Sequence, residues 1–266
     1  MGAGLGAPPS ALFDPTGLQR ITPPNPAVIP GTLFWWEPGT MASRTLVPAN
    51  GDLIENQSGW AIDLLGEQAR WLTYKSSLLT GAASRLQPNG EFRVTHGRGA
   101  ATQAESITLE NQRVRDHIDG NRSRRIGQVL AYNVTQKPEA YTPSVSQRVM
   151  GLVDATNYRA AIALSSDRTL LTGYPTGATR LYNKTGSTAG GRDIVITVHD
   201  GYTGAASSSP TLLGLNNGGA GAPGMSLDVL FAGMCDLTAA NIGPVAWATL
   251  MLAHYNEVLA TGGIYA

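Results

Sequence analysis

Charged side chains make up only 14% of this 266-residue sequence, well below the roughly 25% of an average soluble domain. Lys plus Arg and Asp plus Glu both number 19, so the formal net charge is zero. A chain with no excess of either sign lacks the electrostatic footprint that duplex nucleic acid or an anionic membrane would demand. Weak self-repulsion also suits a subunit that stays assembled. Cysteine is almost missing: Cys235 is the sole thiol, which excludes an intrachain disulfide and a cysteine-ligated zinc cluster. With Phe231 and Met234 as neighbours, it reads as a buried structural thiol. Long apolar runs are missing too. The most apolar stretch, 225–254, is broken by Asp228, Asp236, Asn241 and Pro244, whereas a spanning helix needs about 20 nearly uninterrupted apolar residues. The opening MGAGLGAPPSALF has neither the basic nor the apolar region of a signal peptide, and Gly6 stands where a myristoylation signal requires Ser or Thr. We therefore expect a soluble chain with no membrane partner.

Catalytic signatures are equally sparse. The four histidines, His96, His117, His199 and His254, lie in separate segments, and no HExxH, GxSxG, Walker A or GxGxxG pattern occurs. His254 reads as a satisfied helix histidine, and Asp200 beside His199 as a residue bonding its own turn. Glycoside cleavage would need two carboxylates about 5–10 Å apart across a cleft. Glu37, Asp52, Glu55, Asp63 and Glu67 cluster in sequence, but turn placement alone does not make them converge. For Glu37 and Asp52 the simpler expectation is loop capping and pairing with Arg44. No catalytic residue and no enzymatic activity are expected.

Glycine and proline are what the chain has in excess. Together they form about 18% of it, 32 Gly and 16 Pro, above the usual combined share of about 12%. The prolines concentrate at the start: Pro8, Pro9, Pro15, Pro23, Pro24, Pro26 and Pro30 fall within the first 30 residues. Proline removes backbone donors and favours extended geometry, so residues 1–30 are expected to form an extended docking arm, with one domain over 31–266. An arm with so little apolar surface is held by something outside itself. A neighbouring subunit is the simplest candidate, and packing back on its own domain is the alternative.

From Gly31 onward, short runs rich in β-branched and aromatic residues alternate with Gly, Asn, Asp, Ser and Pro clusters. Expected strands are 32–36, 71–74, 91–95, 106–109, 127–134, 148–154, 158–165, 169–172, 178–183, 193–200, 211–215 and 226–234. So many short strands favour an antiparallel sandwich or jelly roll over a parallel sheet. Pro244 opens a helix near the end, with Val245, Leu252, Tyr255 and Leu259 on its expected buried face and Gly262 and Gly263 beyond it. A shorter helix is expected at 59–66, and 103–125 reads as an insertion or extended loop.

Several segments carry a resemblance. The run Gly31–Trp60 has an aromatic strand with Trp35 and Trp36, an acidic turn at Glu37, and Asn56-Gln57-Ser58-Gly59 ahead of a hydrophobic segment. Arg192–Gly201, Thr211–Leu237 and Pro244–Ala260 follow as a strand and turn, a leucine-glycine strand with a long core strand, and a terminal helix. In this order they resemble the concanavalin A-like, laminin-G-like jelly-roll domains of tailed-bacteriophage virion proteins. The resemblance implies an all-β, antiparallel β-sandwich with an extended N-terminal arm and a short C-terminal helix.

It also implies a function: a structural component of the virion, in tail, baseplate, fibre or head decoration. Such a protein would be made in the host cytoplasm and bound to other virion proteins as a homo-oligomer. A carbohydrate-binding module for host-surface glycan is the alternative, and a glycan hydrolase is a third reading. Candidate glycan or partner contacts are Tyr141, Tyr174, Tyr182 and Tyr202 in polar loops, and Arg122, Arg124 and Arg125. These three belong to a cluster with Arg113 and Arg115, five of the 19 basic residues. Aromatic rings stack on sugars or anchor interfaces, and arginines make bidentate contacts to anions. With Glu110, Asp116 and Asp119 interleaved, the cluster also reads as an internally paired loop at a subunit contact. No cofactor is expected. Calcium is the only metal to consider, through Asp116-His117-Ile118-Asp119-Gly120-Asn121 or through Asp200, Asn216 and Asn217, although neither set matches the EF-hand spacing.

Overall fold

The computed structural model describes residues 25–40, 48–76, 85–95, 105–108, 112–136, 147–153, 158–164, 170–171, 179–184, 191–201, 211–214 and 226–266. Its strands are β1 (Thr32–Trp36), β2 (Leu53–Glu55), β3 (Trp71–Ser76), β4 (Arg85–Leu86), β5 (Phe92–Thr95), β6 (Glu105–Thr108), β7 (Arg125–Gln136), β8 (Gln147–Val153), β9 (Tyr158–Leu164), β10 (Leu170–Leu171), β11 (Thr179–Lys184), β12 (Arg192–Asp200), β13 (Thr211–Gly214) and β14 (Ser226–Asp236). Among the described residues, three α-helices, α1 (Gly59–Leu65), α2 (Gln112–Gly120) and α3 (Pro244–Leu259), accompany them.

Among the described residues the strands form three antiparallel sheets. The largest runs β11-β12-β7-β14-β5-β4. β14 gives one edge to β7 along its whole length and divides the other between β5 at Ser226–Val229 and β1 at Ala232–Cys235. A four-stranded sheet, β13-β6-β3-β2, and a three-stranded sheet, β10-β9-β8, complete the set. The expected all-β antiparallel sandwich with a C-terminal helix is therefore the architecture of the protein.

Period-two alternation decides what each face of the large sheet covers. On β7, Ile126, Leu130, Tyr132 and Val134 join Leu72 and Tyr74 of β3, Ile107 of β6 and Met150 of β8 in one core. Val129 and Ala131 turn the other way, into a second core under α3. The adjacent residues Trp35 and Trp36 divide in the same manner, one into each core.

Two glycines make the helix side possible. A Cβ at Gly127 would meet the Trp247 ring at 2.6 Å, and one at Gly233 would meet Trp35 at 2.5 Å. Both indoles lie directly on bare backbone.

Two expectations are corrected here. The segment read as an insertion or extended loop holds, beyond the expected strand β6, the nine-residue helix α2. Val114 and Ile118, one helical turn apart, are buried, and Gln112 donates to Asp116 at 2.6 Å on the exposed side. The buried face of α3 is formed by Trp247, Ala248, Met251, His254, Tyr255 and Val258, while Val245 is 67% exposed. The helix rotates to seat Trp247, its largest apolar side chain, in the space Gly127 leaves.

Candidate functional site

Tyr141, Tyr174 and Tyr202 lie outside the described residues. Tyr182 sits in β11 opposite Ile196 of β12. The three candidate arginines come together at one end of the large sheet, where each meets oxygen atoms of its own chain. Arg124 donates to Asp236 at 2.9 Å, Arg125 pairs with Asp200, and Arg122 donates to the Asp119 carbonyl at 2.9 Å. The guanidinium groups thus tie α2, β7, β12 and β14 together.

Asp236 is the hub of that corner. It is 1% exposed and accepts from Arg124, from the Ala239 N–H at 2.9 Å and faces His117 Nε2 at 3.2 Å. Burial pushes its carboxyl up, but the contacts from His117, Ala239 and Arg124 outweigh burial and leave it below the usual carboxylate range. The Trp60 ring closes over His117 edge-on at 5.8 Å.

The run considered for calcium is helix and turn, and its groups are engaged locally. Asp116 accepts from Gln112, and Asn121 donates to the His117 carbonyl at 2.6 Å. Asp200 pairs with Arg125, while Asn216 and Asn217 lie outside the described residues. Among the described residues no group of three or more His, Cys, Asp or Glu side chains is arranged to hold a metal ion. Cys235 is buried, and burial pushes its thiol up to about 12, so it is an inert packing residue.

A site that sequence reasoning missed lies where the chain enters the domain. Glu37, expected to cap a loop, is fully buried. Its Oε2 accepts from Asn25 Nδ2 at 2.7 Å and from the Trp35 indole at 3.4 Å. Its backbone N–H donates to Gln57 Oε1 at 2.7 Å, and Gln57 Nε2 donates to Thr40 at 2.8 Å. His254 of α3 faces the other carboxylate oxygen, with Nε2 3.3 Å from Oε1. Contrary to expectation, neither His254 ring nitrogen has a hydrogen-bond partner among the described residues. The imidazole is held by Phe231 and Trp35, edge-on at 5.0 and 5.5 Å.

The surroundings complete an anchor. Asn25 closes a turn by accepting from the N–H groups of Ala27 and Val28, and Ala27 is buried in the core under α3. Tyr265 accepts from the Gly39 N–H at 3.1 Å and donates to the Leu230 carbonyl. Its phenol is pushed well above the ordinary range by burial and by the nearby Glu37. Behind β1, Asn56 donates to the Leu33 and Ala69 carbonyls and accepts from the N–H groups of Trp35 and Ser58. Every polar contact of this buried amide is therefore to backbone, which pins β1 to the start of α1. What the arrangement does chemically is hold: it fixes residues 25–40 to both cores at once.

No family profile and no curated protein sequence matches this chain. Among solved structures it is similar to Trypanosoma rangeli sialidase in complex with 2,3-difluorosialic acid, with TM-score 0.45 and 10% identity over 82% of this chain and 33% of that one. It is also similar to the same sialidase bound to the inhibitor DANA, with TM-score 0.38 and 13% identity over 78% of this chain and 32% of that one. The chain thus spans about a third of the length of those sialidases. A likeness of this degree assigns neither a topology nor an activity.

Proposed function

We propose that this protein is a structural component of a tailed-phage virion, a concanavalin A-like jelly-roll domain that docks into the assembly through its N-terminal arm. One observation carries the reading: the root of the arm is clamped. Asn25 is bonded to the buried Glu37, and Glu37 is tied through Gln57 and Trp35 to β1 and to the turn before α1. A free tail needs no such clamp. An arm that tethers one subunit to another must pass tension into the core, and a buried hydrogen-bonded network provides that path. The Pro-rich composition of residues 1–24 lowers the ordering cost when such an arm binds, because proline restricts the free chain in advance.

The test is a variant lacking residues 1–24, expressed during particle assembly. The folded domain is expected to remain while incorporation into particles is lost. Incorporation at the level of the full chain overturns the proposal.

A further inference from the structure

Three unsatisfied polar atoms meet at the root of the arm. Glu37 Oε1 and both ring nitrogens of His254 are buried, and among the described residues none of them has a hydrogen-bond partner. Buried polar atoms are nearly always paired, so three orphans in one corner call for a reason. The two side chains lie within ion-pair distance, with Nε2 3.3 Å from Oε1, yet the direction of the ring misses the oxygen and no hydrogen bond forms. Edge-on contacts with Trp35 and Phe231 keep the ring beside the carboxylate.

The charge of this corner is unbalanced. Glu37 Oε2 accepts from the Asn25 amide and the Trp35 indole, both neutral donors. Among the described residues, His254 is the one side chain within ion-pair distance of Glu37 that can carry positive charge. The neighbouring elements supply none. Glu91, ahead of β5, is paired with Arg192 of β12, and Asp228 of β14 with Arg93. Tyr265 keeps its phenol neutral while bonding Gly39 and the Leu230 carbonyl. On α3 itself Glu257, one turn beyond His254, is exposed. A buried carboxylate with no counter-charge is costly.

Resting on the arm-docking reading above, we propose that Glu37 and His254 form a proton-operated latch on the root of the arm. When His254 takes up a proton, its ring turns to donate from Nε2 to Oε1 and supplies the missing charge, while Oε2 stays on Asn25. When His254 gives the proton up, the carboxylate loses its counter-charge and its hold on Asn25 weakens. An imidazole changes charge between about pH 5 and pH 8. Pairing favours the charged ring, so the latch is complete at the acid end of that range and is released as pH rises through it. His254 is 6% exposed, which leaves a path for the proton.

Two amides read the state of the latch. The Ala27 N–H donates to the Asn25 side chain and the Val28 N–H to the Asn25 carbonyl, each at 2.9 Å, so both bonds last as long as Asn25 is held. Hydrogen exchange of the full chain, corrected for the intrinsic pH dependence of exchange, should show these amides roughly tenfold better protected near pH 5 than near pH 8. That factor is the step from a neutral to a charge-assisted hydrogen bond. Amides in the middle of β7, at Val129 and Leu130, report opening of the whole domain and should not follow the step.

His254→Gln and Glu37→Gln should each abolish the step, while His199→Gln should keep it. In the unaltered chain the NMR signal of the His254 ring should titrate over the same range as the two amides, which keeps the proposal testable if either variant misfolds. The latch is overturned by an unaltered chain without the step, by a step retained in His254→Gln, or by a His254 ring that does not titrate between about pH 5 and pH 8. Deleting residues 1–24 leaves Asn25 in place and should leave the step intact; a step lost on that deletion also overturns the latch. If the step is present and the deletion does not impair incorporation into particles, the docking function fails and the latch stands. If the step is missing and the deletion abolishes incorporation, the latch alone fails.

Discussion

A single methyl group added at Gly233 would stand 2.5 Å from the Trp35 ring, with Val129 close behind. Neither the sheet nor the indole can give way cheaply there. Gly233→Ala is expected to cost about 1–3 kcal/mol of stability by overpacking, read from urea unfolding. Gly59→Ala, at a position with open space around it, serves as the control that should not destabilise. Two titrating residues make predictions of the same grain. Asp236 has its folded pKa depressed, so its contribution is complete above the ordinary value of 3.8 and is lost as pH falls through the folded value. Asp236→Asn should lower stability at neutral pH by about 2 kcal/mol, the scale of hydrogen bonds to a charged group, and flatten the loss of stability in acid. His199 is neutral in the fold because burial, only partly countered by Asp200, lowers its pKa from 6.5. Stability should therefore decline as pH drops below 6.5, when the unfolded chain takes up a proton that the folded chain resists. Urea titrations of His199→Gln across pH 5–7, set against the parent, should show that part of the slope removed.

At the scale of the element, legibility followed length and β-branched content. β1 was readable residue for residue because TLFWW is dense in strand formers, and the other longer strands lay within a few residues of expectation. β2 escaped because three residues, Leu-Ile-Glu, carry no period. α2 escaped because two arginines and two aspartates dilute an apolar signal that consists only of Val114 and Ile118, four residues apart. α3 is legible as a helix, with Tyr255 buried and Leu252 and Leu259 packed against the core as expected, but the turn that exposes Val245 and seats Trp247 is chosen by a glycine in a distant strand. The anchor was illegible for a related reason: the bond from Gly39 to Tyr265 joins residues 226 positions apart, and no local pattern marks such a pair. Met251, fully buried at the centre of the α3 face, should cost about 2–5 kcal/mol when replaced by alanine. Val245→Ala, at the exposed end of the same helix, should change stability by less than about 0.5 kcal/mol. Chemical denaturation of both variants checks the orientation of the helix directly.

For the whole molecule, low charge and zero net charge set the colloidal behaviour. Solubility of the protein should pass through a minimum near its pI of about 6.9 and improve on either side, as a precipitation series across pH would show. The seam along β14 has a separate consequence, during synthesis. Phe34 in β1 pairs with Met234 in β14, so roughly 200 residues must be translated before the first strand meets its partner. At about 5–20 residues per second, Trp35 and Trp36 spend roughly 10–40 s on the ribosome without the strand that buries them. The nascent chain should therefore be a strong client for chaperones that hold aromatic segments until the last strand emerges.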